Sequence, residues 1–273
     1  MATSPSQFRA RVVDNRPLHG GYFVLTLQGP MAPRPLDGVI PGQFVMLRGD
    51  WGRDLINPRA FSVLDASDDG RFSVLLKAYG RGTTRLCHAP EDEMLTVTGP
   101  LGRGTFDAPT VDGPTQLLVA GGVGLPPLHL QARRAAAAGL ASRVELLYGG
   151  RDADDLVLLS DLDAWGIAVH LATEDGSRGD RGFVTVPLSR RIERAQARGE
   201  AVCILSCGPT PMLRAVRALG LAQGVPTALC LEEEMACGFG VCLGCAVPVY
   251  GPKPYAYCCT DGPVFDAREV RWS

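Results

Sequence analysis

The chain has 273 residues, of which 46% are hydrophobic, and a formal net charge of -2. It is therefore too long for one typical domain, and its charge argues against nucleic-acid and membrane-surface partners. No apolar stretch approaches the length of a membrane-spanning helix, and the first residues lack the basic start and apolar core of a signal peptide. We expect a cytoplasmic protein.

Residues 1–107 are predicted to form a small antiparallel β-barrel. Short runs rich in Val, Leu and Phe alternate with Gly, Pro and Asp turns, and evenly spaced short strands are typical of such barrels. One more strand opens at Arg59, after Asn57-Pro58. The runs predicted as strands are 22–27, 43–47, 71–76 and 93–98.

Residues 108–231 are predicted to form an α/β domain. Apolar runs separated by helices imply a parallel sheet with helices on both faces. The predicted strands are 116–120, 144–148, 167–172, 201–206 and 227–231, and the predicted helices are 125–139, 185–198 and 211–219.

Residues 232–273 are predicted to form a small lobe organised by metal. This segment is rich in Gly, Cys and Pro and is too short for a core of its own, so a metal cluster could order it. The chain has nine cysteines, and most of them lie in its last quarter. An odd number of clustered cysteines favours metal ligands over a disulfide framework.

Three of these cysteines stand at C-x4-C-x2-C spacing. Cys237, Cys242 and Cys245 match the plant-type [2Fe–2S] pattern, and either Cys258 or Cys259 can be the fourth ligand. Zinc is the alternative, because four thiolates also bind it tetrahedrally. The first gap of four residues and the glycines between the cysteines favour iron and sulfur.

Two short motifs in the barrel region suit a pyrophosphate. Arg59-Ala60-Phe61-Ser62 supplies a fixed positive charge and a hydroxyl, and Gly80-Arg81-Gly82-Thr83 supplies backbone amides. Taken singly, each motif is more often a strand start or a hairpin turn. Their order, followed by Gly99-Pro100-Leu101-Gly102, strengthens the phosphate interpretation.

A glycine loop opens the first helix of the α/β region. Gly121, Gly122 and Gly124 lie between a strand and a helix, where a ligand can approach the backbone and the helix N-terminus favours an anion. The spacing departs from the usual dinucleotide fingerprint. The stretch 172–184 could border a ribose or be a solvated loop. No side chains form an acid–base or nucleophile set, so no catalytic residue is predicted.

In this order, the motifs resemble the ferredoxin reductase family. The resemblance implies that FAD contacts Arg59, Ala60, Phe61 and Ser62, then Leu75, Leu76 and Lys77 on the facing strand, and Gly82 and Thr83 at its phosphates. It also implies that NAD(P)H binds at Gly121, Gly122 and Gly124, with the turn Cys207-Gly208-Pro209 near the nicotinamide. From the residues alone, Cys207 could equally be a buried structural thiol.

The C-terminal segment resembles the electron-transfer subunits of NAD-dependent dihydroorotate dehydrogenases. In that family the last cluster ligand stands two residues before Asp-Gly-Pro-Val-Phe, which implies Cys259 here. Small subunits of NADH-dependent ferredoxin–NADP reductases and of sulfhydrogenases are also similar. In the reductase subunits the first ligand is characteristically aspartate, whereas here it is Cys237.

This resemblance implies an electron path and a partner. A catalytic subunit with FMN would oxidise dihydroorotate to orotate, in pyrimidine biosynthesis, in a heterotetramer of two plus two. Electrons would pass through the [2Fe–2S] cluster and FAD to NAD+, with FAD converting between single electrons and hydride. The alternatives are a small subunit of a ferredoxin reductase or sulfhydrogenase and, more distantly, a non-redox zinc-binding module. We expect NAD rather than NADP, because no basic residue awaits a ribose 2′-phosphate.

Overall fold

The computed structural model describes residues 5–32 and 34–272 of the chain. These residues divide into two compact units. The barrel unit comprises Met1–Thr105, Glu233–Ala246 and Tyr257–Pro263, and the sheet unit comprises Phe106–Glu232, Val247–Ala256 and Val264–Ser273.

The barrel unit contains a closed antiparallel barrel. In the described part of this unit the strand order is β1-β2-β5-β4-β3-β6, and β1 pairs with β6 to close it. Its core is aliphatic: Leu25, Leu76 and Leu95 are fully buried. The strands are β1 (Ser6–Pro17), β2 (Tyr22–Gln28), β3 (Phe44–Arg48), β4 (Arg59–Ala66), β5 (Arg71–Lys77) and β6 (Met94–Leu101).

The turn at Gly80 differs from the hairpin turn that its glycines suggest. A short helix, α1 (Arg81–Cys87), begins there. The Thr83 hydroxyl accepts hydrogen bonds from the amides of Tyr79 and Gly80 at 2.9 and 3.0 Å, and these bonds close the start of the helix. The β-barrel predicted for residues 1–107 contained no helix and was therefore wrong at α1, because glycines hide a helix start that a threonine side chain stabilises.

The sheet unit is a doubly wound α/β domain. Its sheet has the order β10-β9-β8-β7-β11-β12-β15 over the described residues, and every pair is parallel except the antiparallel pair of β12 and β15. The strands are β7 (Thr115–Gly121), β8 (Val144–Gly150), β9 (Ala168–Thr173), β10 (Asp180–Arg181), β11 (Val202–Cys207) and β12 (Thr227–Cys230), with β15 (Val264–Asp266) last.

Helices connect these parallel strands. All seven residues of β7 are buried, as expected for a central strand with helices on both faces. Leu117 and Leu118 on this strand and Leu125 on the next helix are fully buried. The helices are α2 (Leu125–Ala137), α3 (Leu159–Ala164), α4 (Thr185–Arg198) and α5 (Thr210–Ala222).

The segment after β12 is shared between the two units and contains two short strands, β13 (Ala246–Pro248) and β14 (Tyr255–Tyr257), which form a small sheet. The division into 1–107, 108–231 and 232–273 thus stays a prediction, although its first two boundaries fall close to those of the units. Among the described helices, none has the length and apolar character that a bilayer span requires.

The structure confirms the predicted fold class of a β-barrel followed by a parallel-sheet domain. The observed strands lie within a residue or two of those predicted, except that β6 runs on to Leu101, and α4 begins and ends as predicted. Strands β1 and β15 and helix α3 were not predicted from the sequence, although Phe8, Ala10 and Val12 of β1 alternate with Arg9 and Arg11.

Candidate functional site

The structure brings the four predicted cluster cysteines together in the barrel unit. The Sγ atoms of Cys245 and Cys259 are 3.1 Å apart, and the amide of Cys242 lies 3.4 Å from Sγ of Cys237. Cys245 and Cys259 are buried, whereas Cys242 is exposed. One pair of sulfurs is therefore enclosed and the other is closer to solvent.

Backbone amides point at two of these sulfurs. Burial opposes ionisation of Cys237, but N–H groups of Cys242, Phe239 and Val241 outweigh it and lower its pKa to about 6. Burial, and then the neighbouring thiol of Cys245, raise the pKa of Cys259 to about 12, while the amide of Gly240 acts in the opposite direction. Amides that point at sulfur favour thiolate, the form that binds metal.

Left-handed backbone in the cysteine loop explains how these amides turn inward. Gly238 has φ +84° and Gly240 has φ +86°, and Leu243 adopts φ +59°, which is uncommon for a residue with a side chain. A Cβ on Gly238 would lie 2.7 Å from Cγ of Met46, so the loop packs closely on β3. The glycines are therefore needed for both conformation and space.

The residues present fit an iron–sulfur cluster. Such a cluster takes four thiolates. Here the sulfurs of Cys245 and Cys259 lie 3.1 Å apart, and the loop that carries Cys237 and Cys242 is closed by an amide-to-sulfur contact. Within residues 5–32 and 34–272, no three His, Cys, Asp or Glu side chains converge on the position of a single metal ion. Cys258 is fully buried, and its amide donates to the carbonyl of Cys245 at 2.9 Å.

The Asp-Gly-Pro turn after the last cysteine contacts the Gly-Pro-x-Gly motif of the barrel. The carbonyl of Gly262 accepts from the amides of Arg103 and Gly104 at 2.8 and 2.9 Å. A Cβ on Gly102 would lie 2.6 Å from Cδ of Pro263. Two motifs that lie far apart in the sequence thus form one packed turn.

The two predicted phosphate motifs of the barrel also meet. A Cβ on Gly82 would lie 2.5 Å from Nε of Arg59, so the guanidinium covers this glycine. Arg59 donates to the carbonyl of Asn57. The Thr83 hydroxyl is engaged with the backbone of Tyr79 and Gly80, and it also donates to the Gly80 carbonyl at 3.1 Å. Charge and glycine backbone are therefore adjacent, as a phosphate site requires.

The other predicted flavin residues lie on β4 and β5, which pair with each other. Leu75 and Leu76 are buried, and Lys77 lies with Nζ 4.1 Å from the ring centroid of Tyr22. On β4, Ala60 is exposed, and Phe61 and Ser62 are half-buried. The roles of all these residues toward a flavin stay a prediction.

The glycine loop of the sheet unit joins β7 to α2. Gly122 has φ +52°, and Pro126 and Pro127 stand in the first turn of α2. Proline is favoured there because its missing N–H would have no partner within the helix. A Cβ on Gly124 would lie 2.4 Å from the carbonyl oxygen of Cys207, so the loop is seated directly on the end of β11.

The turn Cys207-Gly208-Pro209 forms the other half of this site. Cys207 ends β11 and Pro209 precedes α5. A Cβ on Gly121 would lie 2.6 Å from Sδ of Met212, and one on Gly208 would lie 2.6 Å from its Cε. Sequence reasoning missed this contact, because nothing in the pattern marks Met212 beyond its place in the first turn of a helix.

Sequence reasoning also missed Tyr148 at the end of β8. Its hydroxyl donates to the carbonyl of Asp155 at 3.0 Å and lies 3.4 Å from the carbonyl of Gly122. Burial raises its pKa, so it stays a donor. Asp155 in turn accepts from Nε of Arg151 at 2.9 Å. A tyrosine at the end of a predicted strand, directly before two glycines, was the available signal.

The stretch 172–184 is a turn between β9 and α4 that contains the short strand β10. Asp175 accepts from the amide and hydroxyl of Ser177 at 2.9 and 2.7 Å, and these hydrogen bonds lower its pKa. The amides of Glu174 and Asp175 donate to the carbonyls of Gly150 and Arg151. The turn is thus attached to the carboxyl end of β8, and its role as a ribose border or a solvated loop stays a prediction.

Two family models match the chain. Residues 232–271 match the iron–sulfur cluster binding domain of dihydroorotate dehydrogenase B, and residues 118–218 match the oxidoreductase NAD-binding domain. The first match favours iron–sulfur over zinc at the cysteines, and the second covers the glycine loop and the Cys-Gly-Pro turn.

Curated relatives match along nearly the whole chain. The electron transfer subunit of dihydroorotate dehydrogenase B (NAD(+)) from Caldanaerobacter subterraneus subsp. tengcongensis is 34% identical over 97% of this chain and 98% of its own. The subunit of the same name from Listeria monocytogenes serovar 1/2a is 37% identical over 97% of this chain and 99% of its own.

Solved structures share the fold. An NADH-dependent reduced ferredoxin-NADP oxidoreductase matches with a TM-score of 0.78 and 25% identity over 96% of this chain and 90% of that chain. The ferredoxin reductase of carbazole 1,9a-dioxygenase matches with a TM-score of 0.70 and 26% identity over 83% and 68%.

Proposed function

This chain belongs to the family of electron transfer subunits of dihydroorotate dehydrogenase B, and from that premise we propose that it passes electrons from a dihydroorotate-oxidising partner to NAD+. The overall reaction converts dihydroorotate and NAD+ into orotate, NADH and a proton. The observation that carries the proposal is the paired set of cysteines with amides pointing at sulfur, in a chain that also has a nucleotide-type glycine loop.

We assign the cluster to Cys237, Cys242, Cys245 and Cys259, and its type to [2Fe–2S]. The 3.1 Å contact of Cys245 with Cys259 supports Cys259 over Cys258 as the fourth ligand. Amides of the loop stabilise negative charge on Cys237, and donors to sulfur adjust the potential of such a centre.

We assign FAD to the barrel unit and NAD to the sheet unit. FAD supplies hydride exchange with nicotinamide and single-electron exchange with the cluster. Arg59, over Gly82, supplies fixed positive charge for the FAD phosphates. The loop at Gly122 and Gly124 lets the NAD pyrophosphate approach the backbone at the N-terminus of α2.

The partner in this proposal is an FMN-containing catalytic subunit, in an assembly of two copies of each chain. Phe239, Val241 and Leu243 are 57%, 72% and 53% exposed, and the exposed Cys242 lies between the last two in the sequence. Large apolar side chains exposed this close together are typical of a surface that a partner covers. A partner on this surface would lie beside the exposed ligand of the cluster, which is the position that the electron donor requires.

Reconstitution tests the proposal. The purified chain is combined with a dihydroorotate dehydrogenase catalytic subunit, and dihydroorotate-dependent NADH formation is measured. We expect activity only with both chains, and loss of it in Cys242→Ser but not in Cys203→Ser, a cysteine on β11. Unchanged activity in Cys242→Ser, or a purified chain without iron and flavin, would falsify the assignment.

A ferredoxin reductase is the second candidate, because the NADH-dependent ferredoxin-NADP oxidoreductase shares the fold over 96% of this chain. The same preparation separates the two. Rapid NADH-dependent ferredoxin reduction, together with no response to dihydroorotate in the presence of the catalytic subunit, would favour the ferredoxin reductase.

A further inference from the structure

Two cysteines outside the cluster stand side by side in the parallel sheet. Strands β11 and β12 pair in register, with Cys207 opposite Cys230. Neighbouring strands are about 4.8 Å apart, and residues opposite each other in a parallel pair point to the same face. Disulfides form over Cα separations of about 4.4–6.8 Å, so the pair lies within reach of a disulfide.

Both cysteines are buried and both are the last residues of their strands. Cys207 is fully buried and Cys230 is 1% exposed. The carboxyl ends of parallel strands border the crevice in which such sheets bind ligands. A small oxidant therefore needs only a local opening at this edge of the sheet to reach the pair, whereas burial excludes a bulky one.

A change at Cys207 is transmitted to the glycine loop by direct packing. A Cβ on Gly124 would meet the Cys207 carbonyl at 2.4 Å and the Gly208 amide at 2.5 Å, so no space separates the two backbones. A displacement of about 1 Å in a binding site costs on the order of a hundredfold in rate. Pulling Cys207 toward β12 is therefore expected to displace the loop that binds NAD.

We propose that Cys207 and Cys230 are a redox-sensitive pair that closes to a disulfide with hydrogen peroxide and opens with thiols, switching nucleotide binding off and on. Peroxide first oxidises one thiol to a sulfenic acid and releases one water. The second thiol then attacks that sulfur, forming the S–S bond and releasing a second water. In total, two thiols and one peroxide give one disulfide and two waters.

Cys203 provides the internal control. It lies on the same strand β11, but its register partner on β7 is Gln116. Cys203 therefore has no cysteine opposite it on that strand with which to form a disulfide. The proposal concerns Cys207 and Cys230, and we expect Cys203 to stay outside the linked pair.

The first test detects the disulfide itself. The cluster-loaded chain is treated with peroxide, denatured with an alkylating reagent and digested, and the peptides are weighed. We expect a linked pair of peptides containing Cys207 and Cys230, lighter by about 2 Da than the sum of the free thiols, in wild type and in Cys203→Ser. Its absence under conditions that oxidise other thiols of the chain overturns the proposal. Oxidised glutathione should not produce it.

The second test asks whether closure controls nucleotide use, and this part rests on the proposed function. NADH-dependent dye reduction is expected to fall about tenfold or more in the treated wild type and to recover with dithiothreitol. Cys230→Ser keeps its activity under the same treatment, and any peroxide damage to the cluster is shared by both. An equal loss in Cys230→Ser removes the switching role. If that variant does not fold, the linked peptide and its reversal in wild type still decide the proposal, and they do so whether or not the chain reduces NAD+.

Discussion

The glycine loop of the sheet unit and the cysteine loop of the barrel unit use glycine in different ways. At Gly124 a side chain is excluded by backbone of the neighbouring strand at 2.4 Å, and the whole of β7 before the loop is buried. The cysteine loop instead carries three exposed apolar side chains, and its amides turn toward sulfur. One site is shaped by the packing of the fold, whereas the other is shaped around the group it binds.

The largest effect is expected from a variant that disables the cysteine loop and leaves the glycine loop intact. Cys245→Ser removes a buried thiol 3.1 Å from Cys259, so we expect loss of iron and a fall of more than about tenfold in dihydroorotate-dependent NAD+ reduction. NADH-dependent dye reduction should persist, because the glycine loop does not depend on the cluster. Iron content and the two activities measure this.

Cys258→Ser is the matched control for that variant. It changes a neighbouring buried cysteine that the proposal leaves out of the ligand set, so iron content should stay near wild type. Loss of iron in Cys258→Ser with retention in Cys259→Ser would reverse the assignment of the fourth ligand.

Gly124→Ala tests whether the glycine loop is held by packing. The new Cβ meets backbone of Cys207, which cannot move aside, so we expect unfolding free energy to fall by about 3 kcal/mol and NADH to bind more weakly. Gly121→Ala meets the flexible Met212 side chain at 2.6 Å and the ring of Pro209 at 3.0 Å, neither of them backbone, and should cost about 1 kcal/mol. Urea unfolding and NADH titration compare them, and equal costs would contradict the packing argument.

A pH dependence tests whether the sheet unit has electrostatic support independent of any ligand. The hydrogen bond from His170, partly offset by burial and reinforced by Arg191, lowers the pKa of Glu145 from 4.5 to about 2. The unfolded chain then binds the proton more readily, so this stability is present above pH 4.5 and is lost as the pH falls toward 2.

Glu145→Gln should therefore lower the unfolding free energy at neutral pH by about 1–3 kcal/mol and flatten its decline in acid. Urea unfolding at several pH values measures both. Glu193→Gln, which changes an exposed carboxylate on α4, is the control. If both variants follow the wild-type curve, the ion pairs of Glu145 contribute nothing measurable.

The smallest effect is expected at Gly82 in the barrel. The Cβ of Gly82→Ala meets the end of the Arg59 side chain, which can move, so stability should change by less than about 1 kcal/mol while FAD content falls. Gly80→Ala, where nothing lies within 4 Å, should change neither. Flavin absorbance per chain distinguishes them, and unchanged FAD in Gly82→Ala would remove Arg59 from the site.

The sequence predicted the parts of the structure in which one local pattern decides the outcome. The buried runs of the sheet and the C-x4-C-x2-C spacing are such patterns, and so is the amphipathic helix α4. The contacts of Gly124 with Cys207 and of Gly262 with Arg103 join distant segments, and no local pattern contains them. Helix α1 was missed because its start depends on one threonine hydroxyl among glycines.

The antiparallel pair of β12 and β15 has a consequence for how the protein matures. Cys230 stands opposite Val264, so the excursion 231–263 leaves the sheet and returns to it at the same point. Sheet pairing therefore closes this loop, so the loss of chain freedom on closing it does not have to be supplied by metal binding. We expect the apo chain to fold first and to accept iron and sulfide afterwards from a cluster-assembly system.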